Sequence, residues 1–147
     1  MNIKPSLFLL VILGMLIFST CTDKDQASVQ ENEFIERVRP VEQSGTSAAY
    51  FLYENELMNP DTLLSITSNV SDLVQVHETY KTDDGMMGMR ERKTVVVEAG
   101  EVVTFEQGGL HVMLINVEKS LAEGDSVQLE MVWARAGKVQ KKLPVQP

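Results

Sequence analysis

Apolar and polar residues alternate with a period of two along most of the chain. The clearest instance is Val127, Leu129, Met131 and Trp133, with Ser126, Gln128 and Glu130 between them. Successive side chains of a strand point to opposite faces, so this pattern predicts a half-buried strand with its apolar face inward. Runs rich in Val, Thr and aromatic residues predict further strands over 35–41, 48–53, 63–67, 73–80, 94–98, 102–106, 110–117 and 139–145. Turn sequences separate them: Asn59-Pro60-Asp61, Asp83-Asp84-Gly85, Ala99-Gly100-Glu101, Gly108-Gly109 and Glu123-Gly124-Asp125. No long window carries a helical stripe, and one helical turn is expected over 117–122. Eight or nine short strands within about 110 residues predict an all-β chain folded as a two-sheet sandwich.

The amino terminus departs from this pattern. Lys4 precedes an apolar run over residues 7–18, too short for the ~20 residues that span a bilayer but suited to the core of a secretory signal. Ser19 and Thr20 then lead into Cys21, the one cysteine of the chain. These residues resemble a bacterial lipobox, whose cysteine is lipidated and becomes the new N-terminus. Phe18 stands where Leu is usual and Thr20 where a smaller residue is usual, so a plain signal peptide or an uncleaved anchor is the alternative. The expected organisation is a lipoprotein-type signal peptide over 1–20, a polar flexible tether over 21–33 beginning at lipidated Cys21, and a folded domain over 34–147. That domain is expected outside the cytoplasm, held to a membrane by its N-terminal lipid.

Composition narrows the function. Hydrophobic residues make up 44% of the 147 and charged residues 23%, the balance of a chain that folds. A formal net charge of −8 argues against a nucleic-acid partner and against an electrostatic grip on anionic lipid. A single cysteine excludes an internal disulfide and a multi-cysteine zinc site. No hydrolytic triad, phosphate loop or paired carboxylates stand out, and no catalytic turnover is expected.

The candidate chemistry lies with two histidines and the methionines near them. Met113 follows His111 by two positions, so the two share one strand face. Met89 follows His77 by twelve, with Asp83-Asp84-Gly85 near the midpoint; a hairpin around that turn is expected to set His77 and Met89 opposite one another. Alternation in 73–79 puts Val74 and Val76 on one face and Gln75, His77 and Thr79 on the other, so His77 is expected to look outward. Met86, Met87 and Met89 crowd a Gly-flanked tract, GMMGM, that suits no packed core. Taken singly, each has an ordinary reading: a hydrogen-bonded surface histidine, a core-filling methionine, a hydrophobic docking loop. Taken together, two imidazoles and two thioethers suit Cu(I), because thioether sulfur is soft and neutral and is a poor ligand for Zn(II), Mg(II) or Ca(II). A blue-copper centre is excluded, since it needs a thiolate and the only cysteine lies at the processing site.

The spacing resembles that of the PCuAC-type periplasmic copper chaperones, which supply Cu(I) to the CuA centre of cytochrome c oxidase. Their motif is His, an optional Met, ten residues, Met, twenty-one residues, then His-x-Met. Here it reads His77, Glu78 in the optional position, Met89, then His111-Val112-Met113, with VHET, GMMGMR, GGLHVMLINV and LAEGDSV around it. The resemblance spans about 34–145. It implies a cupredoxin-like β-sandwich and a Cu(I) site formed by His77, Met89, His111 and Met113, with Met86 and Met87 as neighbouring or hand-off residues. It also implies a copper-receiving oxidase subunit or another copper chaperone as partner. Copper sequestration with the same site, and a metal-free structural sandwich, are the competing functions.

Overall fold

The computed structural model describes residues 34–147. The expected signal peptide, Cys21 and the tether lie outside the described residues. Ten strands form, and no helix, among the described residues: β1 (Arg37–Val38), β2 (Ser47–Glu54), β3 (Asp61–Ser68), β4 (Leu73–Lys81), β5 (Met87–Glu91), β6 (Val95–Val97), β7 (Val102–Phe105), β8 (Leu110–Ile115), β9 (Ser126–Trp133) and β10 (Gly137–Pro144). One sheet runs β1-β2-β8-β4-β5 with β7 also paired to β2; the other runs β10-β9-β3-β6. The pairings within both sheets are antiparallel. The all-β two-sheet sandwich expected from the alternation is the observed architecture.

The apolar residues of that alternation meet between the sheets. From the first sheet come Phe51, Tyr53, Val76, Val112 and Leu114; from the second come Leu63, Val97, Val127, Leu129, Met131, Trp133 and Leu143. Two aromatic stacks tighten the centre, Tyr53 on Trp133 at 3.9 Å between ring centres and Phe51 on Phe105 at 4.5 Å. Removing this apolar surface from water is the main driving term for the fold, at roughly 25 cal/mol per Å². The buried Asp61 is answered locally. The Asp61 carboxylate accepts backbone N–H bonds from Thr62, Arg135 and Ala136, which ties the β9–β10 turn to β3. Burial would raise its pKa, but those bonds and the Arg135 charge outweigh burial and lower it.

Two expectations need correction. The first strand is only two residues long, because Pro40 has no N–H to give to the ladder. Beyond it Val41 makes an isolated bridge to Leu121. Residues 117–122 form no helical turn. Val117 and Leu121 are both drawn into the core, and Leu121 exchanges two backbone hydrogen bonds with Val41, at 2.8 and 3.0 Å, so the segment bends at Glu118 and Lys119 and bridges at Leu121. β5 is the second arm of the hairpin expected around Asp83-Asp84-Gly85. Its Gly-Met tract has little intrinsic strand preference, and it is held extended by pairing with β4 along Met87–Glu91.

Candidate metal centre

The β4–β5 hairpin sets the geometry of the site. Its loop is Asp83-Asp84-Gly85, closed by Thr82 N–H to Met86 O at 2.8 Å and Gly85 N–H to Thr82 O at 2.9 Å. Gly85 takes φ 87°, the left-handed value that a three-residue hairpin loop requires at its last position. The hairpin therefore centres on Asp84, and the register follows: His77 pairs with Glu91 and Thr79 with Met89. His77 and Met89 are not directly opposite, as the turn alone had implied. They are diagonal neighbours on one face, within the ~7–8 Å over which long side chains still meet.

The central strands bring the other donors alongside. His77 is directly opposite His111 of β8, and Gln75 is opposite Met113. Met113 in turn pairs with Ala48 of β2. Because Val76, Val112 and Leu114 face the core, alternation turns His77, His111 and Met113 to the outer face of the first sheet. Two imidazoles and two thioethers thus lie along a diagonal crossing β8, β4 and β5.

Their surroundings differ. His111 is buried, at 4% exposure, and its Nδ1 donates to the Gly109 carbonyl at 3.0 Å, which leaves Nε2 with a free lone pair. This is the usual way a protein orients a ligating imidazole. His77 is partly buried, and its Nε2 donates to the Gln75 side-chain carbonyl at 3.0 Å. Burial lowers the His77 pKa, the neighbouring His111 lowers it further, and Glu91 opposes both. The two ring centres are 6.2 Å apart with planes inclined at 49°. An imidazole nitrogen bound at about 2.0–2.1 Å puts its ring centre ~3.2 Å from the ion, so two rings on one tetrahedral ion have centres ~5.2 Å apart, and a four-donor site draws these rings roughly 1 Å closer together than they stand.

A cleft of about 280 Å³ opens on this face, with Met89, His111 and Met113 in its walls beside Thr79, Tyr50 and Arg39. His77 is not among its walls. At the far end of the hairpin Met86, Met87 and Met89 are exposed, at 64%, 64% and 58%, so the GMMGM tract does lie outside the core. Gly88 lets the Tyr80 ring lie against the strand: a Cβ on it would lie 2.7 Å from that ring, which also carries the Arg90 guanidinium at 4.9 Å. Glu78 faces away from His77 and pairs with Arg90 and with Arg92, the latter at 3.3 Å. The motif offered no sign of Gln75 or Gly109 as partners of the two rings. Strand alternation alone placed Gln75 on the right face.

Among the described residues no three His, Cys, Asp or Glu side chains gather as they would around a hard ion. The donors present are soft or borderline, which favours a monovalent copper ion over zinc, magnesium or calcium. β5 is the outer edge of its sheet. The bonds from Thr82 N–H and Arg92 N–H to β4 or its loop partner set the even-numbered residues as the hydrogen-bonded pairs. The main-chain groups of Met87, Met89 and Glu91 therefore point away from β4.

A family model described as "Putative lipoprotein LpqE-like" matches residues 30–145. Solved structures share the fold. The copper-bound PCuAC domain from PmoF2 is 23% identical, with 75% of this chain and 86% of that chain covered at a TM-score of 0.60. The apo PCuAC domain from PmoF1 is 19% identical, with 76% and 91% covered at 0.60. CuI-DR1885 from Deinococcus radiodurans is 19% identical, with 84% and 85% covered at 0.57. No curated protein matches the chain.

Proposed function

The chain belongs to the LpqE-like lipoprotein family, and from that premise we propose that it is an extracytoplasmic Cu(I) chaperone, anchored through Cys21, that passes copper to a respiratory oxidase. The observation that carries the reading is the diagonal of His77, His111, Met89 and Met113 on one sheet face. Copper-bound relatives in fold support it. The four ligands are neutral, so the bound ion keeps its positive charge. Binding is selective through sulfur softness, and each donor can be exchanged singly for one from the recipient. Met86 and Met87, beyond Met89 at the exposed hairpin tip, are the first protein sulfurs a departing ion meets.

Anaerobic titration of the full-length chain in detergent with Cu(I) and a competing chelator tests the site. One ion bound by the wild type, with weaker binding after each of His77→Ala, Met89→Leu, His111→Ala and Met113→Leu, supports it. Equal binding by all five proteins refutes it. Delivery is tested in a deletion strain: loss of oxidase activity that added copper restores fits a chaperone, and copper sensitivity with normal oxidase activity refutes that role. Anchoring is tested by Cys21→Ser, which is expected to move the protein from the membrane fraction to the soluble one.

A further inference from the structure

The geometry points to Gln75 as a latch that holds His77 out of the cleft in the metal-free protein, an inference that rests on the copper reading above. Three of the four donors, Met89, His111 and Met113, already line the cleft; His77 does not. Its ring is instead engaged from the side, with Nε2 donating to the Gln75 side-chain carbonyl at 3.0 Å. Gln75 is two residues before His77 on β4 and directly opposite Met113, so it occupies the same outer face and stands beside the site without contributing a metal-binding atom of comparable softness. The contrast with His111 is informative. There the backbone carbonyl of Gly109 takes Nδ1–H and leaves the more projecting Nε2 free. In His77 it is the projecting nitrogen that is occupied.

Copper capture through His77 Nε2 then requires two coupled changes. The hydrogen bond to Gln75 breaks, and the ring exchanges tautomer, with the Nε2 proton lost to water and one regained at Nδ1. The net proton count does not change, and the Nε2 lone pair becomes available. Three donors receive the ion first and the fourth closes on it, opposed by one hydrogen bond. Run backwards, the same bond re-forms as the ion leaves and eases release to a recipient. Gln75 is thus a positioning residue whose effect on affinity is negative.

The test is the sign of the change on Gln75→Leu, with Gln75→Ala as a second variant should the leucine disturb folding. Cu(I) competition on the full-length chain is expected to show binding tightened roughly two- to tenfold, the value of one net hydrogen bond. In a His77→Ala background the same substitution is expected to change nothing, which a general packing effect would not reproduce. Nitrogen-15 spectra of the metal-free wild type are expected to show His77 as the Nε2–H tautomer, with a mixed population after Gln75→Leu. Binding that is unchanged in Gln75→Leu overturns the latch, and weaker binding overturns it in favour of Gln75 as an orienting partner for Nδ1 ligation. Absence of binding by the wild type overturns the copper reading itself, a distinguishable result.

Discussion

On the proposed ligand set, protons and copper compete for the same imidazole lone pairs, and the competition can be put into numbers. Thioether sulfur does not titrate in the accessible range, so acid sensitivity of Cu(I) binding reports the two rings. A ligating imidazole with the ordinary pKa of about 6.5 loses roughly 25-fold in apparent affinity between pH 7 and pH 5. That figure is a ceiling for the His77 share of the loss, read as the difference between the wild type and His77→Ala. Burial holds the His77 pKa below its ordinary value, the adjacent His111 lowers it further, and Glu91 works in the opposite direction. The His77 share over those two pH units is therefore expected to fall short of about 25-fold. It is expected to become shallower still in Glu91→Gln, where the one influence favouring the protonated ring is gone. The assay is anaerobic chelator competition at half-unit steps, corrected for protonation of the chelator. Affinity independent of pH, a His77 share steeper than that ceiling, or a steeper loss in Glu91→Gln would each refute the reasoning. The same depression has a sign for the metal-free fold. The unfolded chain takes up the proton first, so the contribution to stability is present above the unfolded value near 6.5 and is lost as pH falls through it toward the lower folded value.

Other consequences can be checked directly. Met89→Leu, at an exposed position, is expected to leave stability within about 0.5 kcal/mol while lowering Cu(I) affinity at least ~10-fold, the scale on which even outer partners of a metal matter; thermal melts beside titrations read both. Gly88→Val drives the Tyr80 ring from its place against the strand and forfeits its contact with Arg90, worth about 0.5–1 kcal/mol. In a Tyr80→Ala background the same change is expected to cost little, and equal costs in both backgrounds would remove Tyr80 from the explanation. Leu129→Ala, fully buried between the sheets, is expected to cost about 2–5 kcal/mol and to lower Tm by ~10 °C or more in calorimetry.

The strands were readable where one face is buried and the other wet. Val127, Leu129, Met131 and Trp133 are all essentially inaccessible, as their alternation required. The outward face of His77 followed from Val74 and Val76 in the same way. What alternation does not carry is register. One residue in the centre of the Asp83-Asp84-Gly85 loop shifts every pair across the hairpin by two, and the need for a left-handed residue at Gly85 decides it. Neighbouring-strand partners such as Gln75 for His77 also depend on rotamers, which no spacing rule supplies. The missing helical turn at 117–122 has a similar origin: Val117 and Leu121 are spaced for a helix face, yet a distant partner, Val41, claims the backbone.

Met89 belongs to a border strand of five residues, while His111 and Met113 belong to a central one. A visiting protein can approach along that border and find free amide and carbonyl groups at Met87, Met89 and Glu91, set out like the selvedge of a fabric to which another thread is sewn. Bending the border outward carries one sulfur with it and leaves the aromatic stacks between the sheets untouched. In the proposed transfer, unloading is thereby separated from unfolding.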